Sequence, residues 1–414
     1  MTKADKEGQR KAPILRFKGF TDDWEQRKLK NLITEPLSYG LNVSSKEYDG
    51  IHKYLRITDI DEKSRKFNKD KLTSPDIKFN SSSKKYLLSN NDIVFARTGA
   101  STGKTYMYQK EDGIVYYAGF LIKASLSSNF DNNFIFQQTY RKRYYQRVKV
   151  ISQRSGQPGI NSKEYGNFDF LITQIEEQNK IGKLFKIFDN LLALYAKKSS
   201  CLDSCIAYFI RILYDDPQFF KQKSVQNSVI KSFKLDDILI KNNAKNKDLS
   251  VLNVESISNK KGFISQKEQF DNYQVASKDL SNYYVIHPKD FAYNPSRINV
   301  GSIAYKSPND VKGIVSPLYV SFKCKNDIIL DKYLWYWFKS TNFERQRIRL
   351  SEGGVRDTLS FNQLSKMKIS IPSFEIQRQT INLLEILIQY KEEVDLKLNN
   401  LKLIKNTLLQ NIFL

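Results

Sequence analysis

The stretch Asn91–Gly103, NDIVFARTGASTG, decides how the fold is read because it occurs twice in the chain. Its counterpart is Lys289–Gly301, KDFAYNPSRINVG, about 200 residues further on. In this pairing Arg97 is matched with Arg297. Each copy has a short apolar run followed by a turn-forming segment that ends in glycine, a pattern typical of a strand and a turn. Similarity at a long, fixed spacing indicates two copies of one structural unit.

Each copy is followed by a long segment whose apolar residues recur at heptad spacing. The first segment opens at Ile175 and the second at Phe374. Such stripes predict coiled-coil helices, and two exposed stripes are expected to pack on each other as an antiparallel pair. The stripe residues are Ile181, Phe185, Phe188, Leu192, Tyr195, Leu202, Ile206, Phe209 and Leu213, then Leu384, Leu387, Val394, Leu398, Leu401, Leu408 and Ile412.

The remaining parts of the two copies combine strand-like runs, turn signals and one aromatic, basic segment that predicts a helix, at 134–150 and 333–348. The predicted fold class is α+β. It consists of two similar mixed α/β domains separated by two long helices that pack as an antiparallel coiled coil. The expected boundaries are 1–172 for the first domain, 173–214 for the central helix, 215–372 for the second domain and 373–414 for the C-terminal helix.

The run Arg97–Tyr106, RTGASTGKTY, is similar to the end of a phosphate-binding P-loop. A P-loop has four residues between its glycines and continues into a helix. Here three residues separate the glycines, and the β-branched and aromatic run Thr105–Gln109 follows. The sequence therefore favours a turn between two strands that presents Arg97 and Lys104, with Thr98 beside them.

The composition points to a polyanionic partner. The chain of 414 residues has a formal net charge of +23, and its 24 Tyr and 26 Phe are scattered among the basic residues. This favours nucleic acid over a membrane surface. No apolar leader or membrane-spanning run is present, so a cytoplasmic protein without membrane contact is expected. Cys201 and Cys205 are expected to be buried thiols of a helix seam.

Basic side chains cluster beside a glycine-containing loop at equivalent places in the two copies. Arginine suits bidentate contacts to guanine and phosphate, and glutamine can pair with adenine. The candidate DNA-contacting residues are Arg97, Thr98, Lys104, Arg143, Arg147, Lys149, Gln153, Arg154 and Gln157 in the first copy, with Arg297, Arg347, Arg349 and Arg356 in the second.

Catalytic and metal-binding patterns are missing from the sequence. Two His and three Cys are too few for most catalytic or metal clusters. Tyr293–Ser296, YNPS, is partly similar to the Asn-Pro-Pro-aromatic motif of amino-methyltransferases, but it lacks the second proline and the aromatic residue. The sequence therefore predicts a chain without a catalytic or metal site and without a bound cofactor.

The chain resembles the specificity subunits of Type I restriction-modification systems. The residues that carry the resemblance lie in five segments. Each segment alone is weak evidence for the family, but their order and duplication together are specific. They are Pro13–Phe17 (PILRF), Trp24–Gln26 (WEQ), Asp92–Gly99 (DIVFARTG), Glu176–Ile181 (EEQNKI) and Pro372–Glu375 (PSFE). Two positions depart from the repeat. Ile376 stands where the first copy has Glu177, and the second copy has no lysine after Gly301.

The resemblance implies a non-catalytic subunit that reads an asymmetric bipartite site on double-stranded DNA through two target-recognition domains. It implies that two methyltransferase subunits dock on the chain and methylate adenine N6 with S-adenosylmethionine, and that restriction subunits using ATP and Mg join them. Two other classes stay open at this point. One is a basic coiled-coil scaffold that binds nucleic acid without a restriction role, and the other is a self-contained nuclease or methyltransferase.

Overall fold

The computed structural model describes residues 13–62, 64–153, 157–216, 230–259, 261–265, 279–351 and 358–413. The chain divides into two compact units. Unit 1 contains the residues up to Ala196 together with Leu396–Leu414, and unit 2 contains Lys197–Asp395. Each unit therefore combines one globular domain with part of each long helix. The domain boundaries expected from the sequence stay a prediction.

Unit 1 is a mixed α and β structure. Its described strands are β1 (Glu25–Lys28), β2 (Ser38–Tyr39), β3 (Ser45–Glu47), β4 (Lys53–Leu55), β5 (Thr73–Pro75), β6 (Asp92–Ala96), β7 (Thr105–Met107), β8 (Val115–Tyr117), β9 (Leu121–Ser125) and β10 (Asp169–Ile172). Its short α-helices are Asn132–Gln138, Lys142–Ser152 and Ser162–Gly166.

The central sheet of unit 1 has the strand order β2-β9-β6-β7, and all neighbours are antiparallel. All five residues of β6 are buried. Ile93 and Phe95 belong to one hydrophobic cluster, whereas Val94 and Ala96 belong to a second. Alternate side chains of a strand point to opposite faces, so β6 joins two cores. Each fully buried side chain of this size contributes roughly 1.5–3 kcal/mol.

Unit 2 has a similar order of strands and helices, with one additional short α-helix among its described residues. Its described strands are β11 (Lys231–Lys234), β12 (Leu239–Lys241), β13 (Val254–Ser258), β14 (Gly262–Ser265), β15 (Tyr284–Ile286), β16 (Phe291–Tyr293), β17 (Ile303–Tyr305), β18 (Gly313–Val315), β19 (Val320–Cys324) and β20 (Lys368–Ile371). Its short α-helices are Leu235–Ile238, Asp331–Trp337, Thr341–Ser351 and Phe361–Ser365.

The duplication predicted from the sequence is confirmed in the sheets. The order β12-β19-β16-β17 in unit 2 repeats β2-β9-β6-β7 in unit 1, and the pair β11-β20 repeats β1-β10. The duplication extends to the backbone conformation and hydrogen bonds of individual residues. Asn91 and Lys289 both adopt a left-handed backbone, with φ of 74° and 73°. The carboxylates of Asp92 and Asp290 then accept hydrogen bonds from the backbone N–H of Ser89 and His287, each at 2.8 Å.

The aromatic, basic segment is two short helices in each unit and not the single helix that its sequence predicts. In unit 1 the break falls between Gln138 and Lys142, where the hydroxyl of Thr139 donates to the carbonyl of Phe136 at 2.8 Å. In unit 2 the hydroxyl of Ser340 accepts a hydrogen bond from the N–H of Phe343 at 3.2 Å. A Ser or Thr hydroxyl that bonds nearby backbone groups offers an alternative to continued helix, which explains both breaks.

The two long helices are Ile175–Asp215 and Phe374–Ile412. All the apolar stripe residues predicted from the sequence are buried or half-buried. In unit 2 the hydroxyl of Ser199 donates to Asp395 at 2.6 Å, and Lys391 lies 3.3 Å from Asp203. From Ser199 to Asp203 the residue number rises along the first helix, while the contacted residue falls from Asp395 to Lys391 along the second. The two helices are therefore antiparallel. The predicted fold class is therefore confirmed.

The glutamine in each helix opening fixes the helix to its own domain. In unit 1 the side chain of Gln178 accepts from the N–H of Asp131 at 3.1 Å and donates to the carbonyl of Thr173 at 2.6 Å. In unit 2 Gln377 accepts from the N–H of Leu330 at 2.8 Å and donates to Pro372 at 3.0 Å. Both amides are almost fully buried, and each satisfies backbone groups that would otherwise lack partners.

The N-terminal segment is bound to the first of these helix openings. Arg16 makes two hydrogen bonds to the buried carboxylate of Glu177, at 2.7 and 2.9 Å, and the indole N–H of Trp24 donates to the same carboxylate at 3.1 Å. The hydrogen bond to Glu177 raises the pKa of Arg16. Ile376 fills the corresponding position of the second helix and is buried. The two helix openings are therefore chemically different, as their sequences indicate.

Candidate nucleic-acid interface

The turn between β6 and β7 carries the first group of candidate residues. Residues Gly99–Ser101 form one turn of 3₁₀-helix, and the strands on either side pair antiparallel. The N–H of Gly103 donates to the carbonyl of Ala96 at 3.0 Å. A strand and not a helix follows Lys104, so the strand-turn-strand prediction is confirmed and the geometry is not that of a P-loop.

Gly103 allows the basic helix Lys142–Ser152 to approach this turn. Its φ of +88° lies in the left-handed region, and a Cβ at this position would lie 2.6 Å from the Val148 side chain. The hydroxyl of Tyr144 donates to the carbonyl of Gly103 at 2.9 Å. Only glycine combines this backbone conformation with such a close approach.

Backbone hydrogen bonds join the turn to the segment that follows the basic helix. Thr98 forms an isolated antiparallel bridge with Gly159, and the N–H of Ile160 donates to the carbonyl of Arg97 at 2.9 Å. The structure therefore brings together the two predicted loops of the first copy. We call the group of Arg97, Thr98, Gln153 and Gln157 the first recognition surface. Both glutamines are exposed, and Arg97 and Thr98 are half-buried.

Arg97 has an unusual environment within the first recognition surface. Its guanidinium carbon lies 4.8 Å from the ring centroid of Tyr39, within the range of a cation–π interaction. Its Nε is buried and has no hydrogen-bond partner. Within the part of the chain that the structure describes, the Arg97 side chain makes no hydrogen bond or ion pair. A buried donor without a partner requires an explanation, and a ligand is one.

Tyr39 was not identified from the sequence. Its hydroxyl oxygen accepts a hydrogen bond from the N–H of Ser162 at 3.1 Å. Burial raises the pKa of Tyr39, but the hydrogen bond from Ser162 and the charge of Arg97 outweigh burial and leave the pKa below its ordinary value. No motif signals this residue, because its contact with Arg97 depends on the pairing of β2 with β9 across the sheet.

The other basic candidates of unit 1 divide into exposed and paired side chains. Arg143 and Lys149 are exposed. Lys104 is buried, and its Nζ lies 3.0 Å from a carboxylate oxygen of Glu62. Arg147 lies 3.1 Å from the carboxylate of Asp169. Lys104 therefore does not lie at an exposed tip: it is buried, and its charge is paired with that of the exposed Glu62. Arg154 lies outside the described residues.

In unit 2 the structure changes the alignment of the repeat. The N–H of Leu359 donates to the carbonyl of Pro295 at 3.1 Å, just as the N–H of Ile160 donates to that of Arg97. Pro295 therefore occupies the position of Arg97, and the sequence match of Arg97 with Arg297 is wrong. Arg297 is exposed two residues further along. A proline also lacks the N–H that Arg97 donates to the carbonyl of Phe120 at 3.0 Å.

The remaining candidates of unit 2 are also unequal. Arg349 is exposed, whereas Arg347 is buried and makes two hydrogen bonds to Glu344, at 2.8 and 2.7 Å. Arg356 lies outside the described residues. We call the group of Arg297 and Arg349 the second recognition surface.

Two of the cysteines lie on the first long helix. Cys201 is exposed and Cys205 half-buried, so the expectation of two buried seam thiols is wrong for Cys201, which lies on the outer face of its helix. Among the described residues, no group of three or more His, Cys, Asp or Glu side chains is placed to hold a metal ion. The described part of the chain has no helix with the length and apolar character needed to cross a membrane.

Comparison with known proteins agrees with this architecture. The family model for the Type I restriction modification DNA specificity domain matches residues 21–204 and again residues 216–403. The chain therefore belongs to this family and contains two copies of its domain. It is a non-catalytic specificity subunit that recognises DNA sequence.

A curated relative and two solved structures are similar to this chain over nearly its whole length. The specificity subunit of the Type I restriction enzyme MjaVIII of Methanocaldococcus jannaschii is 21% identical over 404 residues, which cover 90% of each protein. A crystal structure of the S subunit from M. genitalium has a TM-score of 0.63 at 16% identity, covering 97% of this chain and 99% of that one.

The second structure comes from work on complex assembly and conformational transition of the type I R-M system. It has a TM-score of 0.51 at 12% identity, and it covers 94% of this chain and 97% of the other. At such identities the solved structures are similar in fold alone.

Proposed function

We propose that the two domains read the two halves of an asymmetric bipartite site on double-stranded DNA, each through its own recognition surface in the major groove. The duplicated domains support two readers. Their different side chains at equivalent positions, Arg97 and Pro295, support an asymmetric site, because two different surfaces recognise different bases.

One observation carries this proposal. The guanidinium of Arg97 is held over the ring of Tyr39 and has no hydrogen-bond acceptor among the described residues. Arginine donates two parallel N–H groups to O6 and N7 of guanine, which is the commonest specific contact in the major groove. Arg97 therefore has the chemistry of a reader of guanine in the first half-site. Gln153 and Gln157 lie in the same surface and suit adenine.

We further propose that two methyltransferase subunits dock on this chain along the long helices and methylate adenine N6 with S-adenosylmethionine. Restriction subunits that use ATP and Mg then complete a cytoplasmic complex. This chain itself holds none of these cofactors. The duplicated helix openings support docking at two places, because Gln178 and Gln377 hold each opening on its own domain with equivalent hydrogen bonds and so give both openings the same local geometry. Glu177 and Ile376 make the two places unequal.

Replacement of Arg97 by alanine tests the proposed reading of DNA. The full chain, assembled with its methyltransferase subunits, is given a library of randomised duplexes, and bound duplexes are sequenced. Arg97→Ala should cost about 1–3 kcal/mol of discrimination at one base pair of one half-site. Exposed Arg143 serves as the matched control for a phosphate contact: Arg143→Ala should weaken binding to all duplexes alike and leave every position of the preferred sequence unchanged. An unchanged preference in the Arg97 variant would contradict the assignment.

A comparison of duplex DNA with RNA distinguishes the proposal from a basic scaffold. Filter binding with and without the methyltransferase subunits should show a preference for one DNA sequence that RNA does not reproduce. Equal affinity for RNA and for random DNA would favour the scaffold.

A further inference from the structure

We infer that Tyr39 is the positioning residue that fixes the guanidinium of Arg97 in the orientation in which it reads a guanine of the first half-site. This inference rests on the proposed function of the first recognition surface and assigns a role to a residue outside the predicted contacts.

The Arg97 side chain has few contacts that order it. An arginine side chain loses up to about 2 kcal/mol of conformational entropy when it is ordered. Among the described residues no hydrogen bond or ion pair orders this one, and its polar Nε is buried without a partner. The ring of Tyr39, at 4.8 Å, is the contact that holds the guanidinium. Without the ring, binding to DNA would have to supply this ordering.

Tyr39 is itself held in a fixed position. Its backbone belongs to β2, where it pairs with Ile122 of β9, and β9 pairs in turn with β6. Its hydroxyl is bound by the N–H of Ser162, the first residue of the helix Ser162–Gly166. The ring is therefore held at both ends, by the sheet that supplies Arg97 and by the helix that follows Gln157. A support fixed in this way pre-organises the group that it carries.

The contact with the ring leaves N–H donors of Arg97 available. A guanidinium that lies over an aromatic ring keeps its in-plane N–H groups free, and these are the groups that form the bidentate pair with guanine. Tyr39 uses its hydroxyl as an acceptor from Ser162, so the ring supports the guanidinium and does not compete for the base. Its side chain is 39% exposed, which is compatible with a place at the edge of a DNA-binding surface.

The second unit supplies a comparison inside the same chain. Pro295 occupies the position of Arg97, so no guanidinium is available there to be positioned. The effect of Tyr39 should therefore be confined to one half-site.

The test is a double-mutant cycle on the full chain assembled with its methyltransferase subunits. Sequencing of duplexes selected from a randomised library measures the preference at every base pair, and Arg97→Ala identifies the pair read by Arg97. Tyr39→Leu, which removes the ring, should reduce the preference for guanine at that pair about tenfold. Tyr39→Phe keeps the ring but loses the hydrogen bond from Ser162, so its preference for guanine should fall by less than that of Tyr39→Leu. In the Arg97→Ala background, Tyr39→Leu should have no further effect at that pair.

Three results would overturn the inference while leaving the proposed function in place. In each of them Arg97→Ala alters one base pair, as proposed. The first result is an unchanged preference in Tyr39→Leu, the second is an effect of Tyr39→Leu that persists without Arg97, and the third is an equal loss at all positions of both half-sites. If Arg97→Ala itself alters no base pair, the proposed reading by Arg97 fails first and the role of Tyr39 fails with it. Thermal unfolding of each variant shows whether the chain is folded, and Tyr39→Trp gives a second ring-bearing variant if Tyr39→Phe is unstable.

Discussion

Arg147 and Lys149 lie two residues apart on one basic helix, but they have different environments. Lys149 is exposed, whereas Arg147 bonds to the carboxylate of Asp169 and to the carbonyl of Asn167. An exposed cation can neutralise a DNA phosphate, and each neutralised phosphate contributes about 0.9 to the slope of log K against log salt. The charge of Arg147 is already paired with that of Asp169 within the domain. The two side chains should therefore affect different properties.

Lys149→Ala should lower the salt slope of DNA binding by up to about 0.9 and change the free energy of unfolding by less than about 0.5 kcal/mol. Arg147→Ala should leave the slope nearly unchanged and destabilise unit 1 by about 1 kcal/mol, since it removes an ion pair and the contact with the ring of Phe168. Binding titrations at several salt concentrations and denaturant unfolding measure the two effects. The assignment is wrong if Arg147→Ala lowers the slope as much as Lys149→Ala does.

At the residue scale, the sequence predicts which types of side chain can contact DNA. It predicts less well which individual side chains the fold exposes. Arg97 and Gln157 were candidates because of their chemistry, and the structure brings them into one surface. Lys104 and Arg347 have the same chemistry, but Glu62 and Glu344 pair with them. The pairing of Lys104 depends on which acid the fold places beside it, 42 positions away, and no local pattern reveals that. Tyr39 could not be found for the same reason.

Gly182 decides how closely the first long helix approaches its domain. A Cβ at this position would overlap the carboxylate of Asp131, whose Oδ1 accepts from the N–H of Phe134 at 2.7 Å and caps the helix Asn132–Gln138. Alanine is favoured over glycine in a helix by about 1 kcal/mol. The overlap acts in the opposite direction, because it costs the cap about 0.5–2 kcal/mol and adds about 1–3 kcal/mol of overpacking.

Gly182→Ala should therefore destabilise unit 1 by about 1–3 kcal/mol, although helix propensity alone predicts stabilisation. Asn190→Ala, at an exposed position of the same helix, is the matched control and should be neutral or slightly stabilising. Denaturant unfolding of the full chain measures both changes. A Gly182→Ala variant that is more stable than the parent would show that the helix and the cap can move apart without cost.

Long elements were predicted more accurately than short ones, and the reason is physical. The stripes of the two long helices repeat over many turns, so the periodic signal is strong and the predicted seam residues are buried or half-buried. The segment 134–150 has the composition of one helix, but Thr139 ends it by bonding its own backbone. The repeat located Gly103 and Gly301 correctly, since both need a left-handed backbone, with φ of +88° and +83°. The sequence repeat matched Arg297 with Arg97 incorrectly, because that match followed the type of side chain and not the position in the backbone.

For the whole molecule, we propose that the length of the long helices sets the number of unread base pairs between the half-sites. Four extra residues add about 6 Å to a helix at 1.5 Å per residue. This equals the rise of at most about two base pairs of B-DNA at 3.4 Å each. Ser199 bonds to Asp395, so these two residues mark matching levels of the two helices. Insertions between 197 and 202 and between 395 and 398 would lengthen both helices at that level.

Variants with both insertions should recognise the same two half-sequences at a larger separation, which mapping of methylated adenines by single-molecule sequencing would reveal. An insertion in one helix alone is the control. It shifts the heptad register against the unchanged partner and should weaken folding or assembly. An unchanged spacer in a fully assembled double-insertion variant would show that the helices do not act as the ruler.

The central claim is that the chain contains two independent readers of DNA, and an exchange of one domain tests it most directly. Residues 14–170 are replaced by the equivalent segment of a relative with a different target, which leaves unit 2 and both long helices unchanged. The chimaera is expressed with its methyltransferase subunits, and methylated adenines are mapped across a genome by single-molecule sequencing. We expect that one half-site changes to that of the relative while the other half-site and the spacer stay the same. A change in both half-sites would contradict it, because neither domain would then read its bases independently.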